Sequence, residues 1–283
     1  MDWRFKNFGT RSITQLHTSP NPSRGRKTAE AGRILSHGQV VSPCRVRFNH
    51  LDFARNSFEL YSINTSKYHL TDTKIDSLKI TMDLKSTYNK IAKDWMSDHH
   101  GYTWWIEGTD KFLSYLKPKA SVLDVGCGAG EKSVYMAKKG FDVTGIDFSE
   151  EMIRLTKEQL PMAKFYIKDI KKPLGLENTF DGIFAFAVLL HISKDEVVRV
   201  LKNMIEPLKT NGYFFVAVKE LRPGKEDEEI VKENNYGYAY ERFFSYFTID
   251  ELRKYITDIG LQIVSDHISL TSKRNWIQII AKK

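Results

Sequence analysis

The stretch Val122-Leu123-Asp124-Val125-Gly126-Cys127-Gly128-Ala129-Gly130 constrains this chain more than any other. An apolar run too short for a helix ends in three glycines spaced two apart. That pattern reads as a buried strand breaking into a sharp turn, because glycine reaches backbone conformations closed to other residues and lets a ligand come close. The chain beyond Gly130 repeats the alternation of helix and strand. Helical spacing continues to Lys139 and stops at Gly140. Residues 141–146 read as a second strand, 150–159 as a helix capped by Ser149, and 163–167 as a third strand. Residues 180–186 form a fourth strand. Ser193 with Glu196 spells a capping box opening a helix to Leu208. Residues 212–218 are almost wholly apolar, as a strand covered on both faces should be. Thr248 with Glu251 spells a second capping box, and its helix ends before Gly260. Strands 261–266 and 276–281 close the chain. Only 267–275 lie between them, too few for a helical crossover, so they should pair antiparallel at one edge. Ahead of the series, Tyr88, Ile91, Ala92 and Trp95 mark a helix over 83–97. Trp104, Trp105, Phe112, Leu113 and Leu116 mark another, ended by Pro118. Alternating strands and helices predict an α/β fold: a doubly wound, mostly parallel sheet with helices on both faces.

The net charge of +8 raises the question of nucleic acid, which its distribution answers. Residues 1–81 hold 13 Lys+Arg against 6 Asp+Glu; residues 82–283 hold the remaining 30 against 29. The part that carries the pattern is near neutral and has no electrostatic case for gripping phosphate backbones. Residues 1–81 show breaker clusters such as Ser19-Pro20-Asn21-Pro22-Ser23, scattered arginines and no sustained period, apart from an apolar patch at 58–63 that reads as a marginal strand. Three readings stay open for this basic segment: a disordered tail, a targeting peptide, or residues upstream of a true start at Met82. No apolar run approaches the ~20 residues a membrane helix needs, and the amino terminus lacks the apolar core of a secretory signal. Cys44 and Cys127 are far apart in sequence, so a reducing, cytoplasmic setting is expected.

Three acids give the strand ends their chemistry. Asp124 precedes Gly126 by two residues, Asp147 follows it by 21, and Asp169-Ile170 lies just past the third strand. In open α/β sheets ligands bind outside the carboxyl ends of the strands, which is where these acids and Phe186-Ala187 fall. A carboxylate at Asp124 suits a cationic amino-acid head and sits badly beside a pyrophosphate. Gly130 also comes one position early for the G-x-G-x-x-G turn of nicotinamide enzymes. Asp147 can accept both hydroxyls of a ribose, and Asp169 an adenine amino group with Ile170 against the ring. No His/Cys/Asp cluster has metal-ligand spacing, so no metal is expected.

Taken in order, 124–130, 143–147, 168–169, 180–191 and 208–218 resemble the class I S-adenosylmethionine-dependent methyltransferases of the small-molecule type, over about residues 82–283. The resemblance implies a Rossmann-like, seven-stranded, mostly parallel sheet whose antiparallel last strand slots beside the fifth. It implies that Asp124 and the loop Gly126, Cys127, Gly128, Ala129 and Gly130 hold the methionine part of the cofactor. Asp147 would hold the ribose and Asp169 the adenine. Phe148, Met152, Ile170, Phe186 and Ala187 would complete that site, with Tyr88 covering it. The expected reaction transfers a methyl group from S-adenosylmethionine to a small molecule, leaving S-adenosylhomocysteine, mainly by proximity and alignment. Partners on the membrane or among nucleic acids are not expected. A nicotinamide-dependent oxidoreductase and a non-catalytic cofactor-binding module are the rival readings.

The acceptor side is written less clearly. His191 follows the fourth strand and reads either as a base or as a polar pocket residue. Trp104 and Trp105 read as packing or as a substrate cage. Residues 222–246 are irregular: a charge run at 225–229 reads as a solvated face, and the aromatics of 236–244 as a substrate lid or as packing onto the sheet. Under the lid reading, Tyr240 and Arg242 meet the substrate, Arg242 gripping a carboxylate with both prongs of its guanidinium.

Overall fold

The computed structural model describes residues 77–176, 179–271 and 274–283, with side chains from Leu84 onward. The expectations for residues 1–76, including the strand at 58–63, lie outside the described residues. Helix α1 (Ser77–His99) begins ahead of the 83 that its pattern marks, and α2 (Ile106–Leu113) follows. The alternating series then runs β1 (Ser121–Val125), α3 (Glu131–Lys138), β2 (Asp142–Asp147), α4 (Glu150–Gln159), β3 (Lys164–Ile167) and β4 (Phe180–Phe186). After a 3-10 turn (Leu189–His191) come α5 (Val197–Ile205), β5 (Leu208–Lys219), β6 (Glu228–Glu233), β7 (Tyr240–Ser245), α6 (Ile249–Asp258), β8 (Gln262–Ser269) and β9 (Trp276–Lys282).

Seven strands form one sheet in the order β3-β2-β1-β4-β5-β9-β8. The first five are parallel, β9 runs antiparallel to β5, and β8 antiparallel to β9 at the edge, as expected. Period-two alternation divides the core. Phe214, Val216 and Val218 of β5 face the layer holding Val200, Leu201, Leu252 and Ile256 of α5 and α6. Phe215 and Ala217 face the other way, toward Phe112, Met136, Phe184 and Phe186. Phe184 and Phe215 stack there with centroids 4.7 Å apart.

Local signals mostly act where they are written. The Ser149 hydroxyl accepts the Met152 N–H, and Thr248 with Glu251 closes a full capping box. Ser193 and Glu196 do not. The Glu196 carboxylate takes Lys171, Arg199 and the Ser193 hydroxyl itself, which donates to it at 3.1 Å, the Glu196 N–H goes to the Ser193 carbonyl, and the helix starts at Val197. Residues 222–246 hold a two-stranded antiparallel arm, β6 with β7. The arm lies along α1, where Thr87 Oγ1 donates to the Glu241 carbonyl at 3.1 Å and the Tyr238 hydroxyl donates to Asp94 at 2.6 Å. Among the described residues no helix is long and apolar enough to cross a membrane.

Candidate functional site

The carboxyl ends of β1, β2 and β4, the loop after β3 and the end of β5 open on one cavity of about 260 Å³, roofed by α1. The glycine turn leaves β1 with Gly126 at φ 67° and Gly128 at φ 54°. A side chain at Gly126 would meet Val188 at 2.6 Å, and one at Gly128 would face the Trp95 ring at 3.7 Å, so the backbone itself forms this wall. Gly126 and Cys127 both donate their N–H to the Ile146 carbonyl, at 2.8 and 3.0 Å. The Gly128 N–H goes to Asp147 Oδ2 at 3.0 Å and the Gly130 N–H to the Cys127 carbonyl. These four amides are spent inside the protein.

Two buried carboxylates face the same space. Asp124 is 2% exposed and accepts from Ser133 Oγ at 2.6 Å; burial pushes its carboxyl up to about 7. Asp147 also accepts the Ser149 N–H at 2.9 Å. Burial outweighs its backbone hydrogen bonds and pushes it up to about 6. Asp169 Oδ1 accepts the Lys171 N–H at 2.9 Å. Cys127, Phe148, Met152, Ile170, Phe186 and Ala187 line the cavity with them. Ala187 holds φ 59°, a strained conformation at the mouth of β4. Ala129, Gly130 and Tyr240 are not in the cavity wall. Ala129 packs beneath α1 with Ala92 and Met152, Gly130 caps α3 against Thr156, and Tyr240 stacks on Tyr236 with centroids 5.5 Å apart. Among the described residues no group of three His, Cys, Asp or Glu side chains could hold a metal.

At the other end, His191 joins three elements. Its Nδ1 lies 2.7 Å from the Phe243 carbonyl of β7, which can only accept, so Nδ1 carries the proton. Nε2 is then left to accept from the Tyr88 hydroxyl of α1 at 2.7 Å. Burial pushes this imidazole down to about 3, so it is neutral at physiological pH. Arg242 Nη1 lies 3.4 Å from the same hydroxyl, while its Nε and Nη2 hold Glu233 at 2.6 and 2.7 Å. The two-pronged grip expected for a substrate is made instead to the neighbouring strand. Trp104 and Trp105 both line the cavity. Trp104 lies 5.3 Å from Phe186 and 4.9 Å from Trp276, centroid to centroid.

Sequence reasoning passed over Lys219, Lys132, Trp95 and Trp276, all in the wall. The signal for Lys219 was present, since a lysine closing the almost wholly apolar run 212–218 stands at the ligand-binding edge. Its Nζ lies 3.6 Å from the centre of the Phe244 ring, and burial, then Arg242 and Arg274, push its pKa down to about 7.

A family model described as a methyltransferase domain matches residues 97–266. The YqeM protein of Bacillus subtilis is 33% identical over 132 residues, covering 45% of this chain and 50% of its own. Phosphoethanolamine N-methyltransferase 1 of Zea mays is 33% identical over 140 residues, covering 46% and 28%. The chain thus matches half or less of the length of these two relatives. The structure of Burkholderia thailandensis 1,6-didemethyltoxoflavin-N1-methyltransferase, with 1,6-didemethyltoxoflavin and S-adenosylhomocysteine bound, superimposes with a TM-score of 0.60 at 20% identity, covering 73% of this chain and 89% of that one. That likeness establishes the fold.

Proposed function

The chain belongs to the methyltransferase-domain family, and from that premise we propose that it binds S-adenosylmethionine at the strand ends and methylates a small molecule. The observation that carries this reading is a pair of buried carboxylates, Asp124 and Asp147, facing one cavity beside the glycine loop. That donor set fits a ligand offering a cation and hydroxyl groups. A pyrophosphate would meet two acids, which counts against a nicotinamide dinucleotide.

In this reading Asp124 and the loop from Gly126 to Gly128, the part of the turn that lines the cavity, hold the amino-acid end. Asp147 has lone pairs left for ribose hydroxyls after its two backbone bonds, and Asp169 with Ile170 takes the adenine. S-adenosylmethionine supplies a methyl group activated by a cationic sulfur and leaves as S-adenosylhomocysteine. The protein's contribution is alignment and exclusion of water by α1 and the β6–β7 arm. His191, neutral and buried, fixes the Tyr88 proton on its own Nε2. The Tyr88 oxygen, which accepts from Arg242 Nη1, keeps one lone pair to receive a hydrogen bond from the acceptor's nucleophilic group. We assign His191 as a positioning residue, not as the base. A cytoplasmic setting belongs to the same reading.

Calorimetric titration of the full chain tests it. Saturable binding of S-adenosylhomocysteine with no heat from NADH is expected, followed by transfer of labelled methyl to some member of a panel of phenols, amines and aromatic acids. Binding of NADH in place of S-adenosylhomocysteine overturns the reading. Cofactor binding without transfer to any member reduces it to a binding module.

A further inference from the structure

We propose that Lys219 is the anchor for an anionic group on the acceptor, which makes the acceptor a flat ring carrying a carboxylate or phosphate. This rests on the methyltransferase reading above and names its substrate class.

The acceptor end of the cavity is rich in hydrogen-bond donors whose natural partners are missing. Arg242, the cation expected to grip substrate, spends two of its nitrogens on Glu233. Lys219 has no such partner: among the described residues no carboxylate pairs with it, and its ammonium rests only on the Phe244 ring. Trp105 lines the same cavity and keeps its indole N–H buried with no partner. Groups of this kind cost stability when buried alone, so a site that retains them points to a ligand that supplies acceptors.

The surroundings of Lys219 specify the rest of the ligand. Lys219 and Trp276 are register partners on adjacent antiparallel strands, so their side chains leave the sheet on one face, side by side. Trp276 continues into Trp104 and Phe186, with centroid separations of 4.9 and 5.4 Å. A wall of three rings ending in a bare ammonium fits a planar apolar body with a negative group at its rim. The position also suits the charge balance: Asp124 and Asp147 answer a cation at the cofactor end, while Lys219 answers an anion here. Burial and the neighbouring Arg242 and Arg274 hold Lys219 at about 7, the state of a cation waiting for its counter-ion.

The test uses the full chain saturated with S-adenosylhomocysteine, titrated at pH 6.5 with 4-hydroxybenzoate, phenyl phosphate and the uncharged 4-hydroxybenzamide. The expected result is that at least one anionic ring binds about tenfold or more tighter than the amide, as a charge-assisted bond requires. Lys219→Met should erase that preference and Lys219→Arg should keep it, with S-adenosylhomocysteine affinity unchanged in both. The proposal is overturned if the amide binds as well as the anions, if no ring binds, or if Lys219→Met keeps the preference. If Lys219→Met melts early, the comparison of anions with amide on the unaltered protein decides. Failure of S-adenosylhomocysteine to bind at all would mark the cofactor reading, not the anchor, as the part at fault, and the anchor falls with it.

Discussion

The two ends of the cavity are built by different means. The cofactor end comes from neighbours in sequence, with Asp124, the glycine turn, Asp147 and Asp169 all inside 124–170 and placed by consecutive strand ends. The acceptor end gathers Tyr88 and Trp104, His191, Lys219, Arg242 and Trp276 from across the chain. At the first end, the groups proposed for binding also serve the fold: Asp147 fastens the glycine loop through the Gly128 N–H, and Asp124 is tied to Ser133 of α3. At the second, side chains meet through tertiary packing alone. The first end is therefore fixed wherever this fold forms, and the second can be rebuilt around different acceptors on the same sheet.

The sharpest way to press that contrast is pH. Both cofactor-end carboxylates must be ionised to serve a cationic amine and ribose hydroxyls. Burial holds them at about 7 and about 6, so they are charged above those values and take up protons as pH falls through them. Affinity for S-adenosylhomocysteine should drop by about twentyfold between pH 8 and pH 6, since both acids must be charged. A flat profile by calorimetry breaks the claim that these acids face the ligand. His191 gives the opposite behaviour and a smaller effect. Its imidazole, held at about 3, does not titrate between pH 5 and 8, so the rate should show no limb from it. His191→Phe removes one hydrogen bond to Tyr88 and should slow turnover roughly fivefold, the worth of about 1 kcal/mol, while leaving S-adenosylhomocysteine affinity in place. A rate limb near pH 6.5 that vanishes in the variant would return His191 to the role of base.

The same division explains what was legible in the sequence. β1 and β4 fall within the bounds their residues mark, because glycines and a short apolar run stop a strand locally. The Ser149 and Thr248 caps formed for the same reason: donor and acceptor lie within three residues of each other. The Ser193 box did not close because the Ser193 hydroxyl donates to the Glu196 carboxylate, beside the distant Lys171, and does not accept the Glu196 N–H. The β6–β7 arm was hidden more deeply. Glu228-Glu229-Ile230-Val231-Lys232-Glu233 reads as a charged surface, and only pairing with the aromatic strand β7 makes it a strand. Lys219 reads as the polar end of a buried strand until Trp276, 57 residues later, takes its place beside it.

The central claim is that the acids at the strand ends hold the cofactor, and one substitution tests it most directly. Asp147→Ala removes a carboxylate assigned to the ribose hydroxyls, each charge-assisted bond being worth about 1.5–3 kcal/mol. With thermal melting used to confirm an intact fold, calorimetry should show S-adenosylhomocysteine binding at least about tenfold more weakly than to the unaltered chain. Unchanged affinity in a folded Asp147→Ala protein would contradict the account.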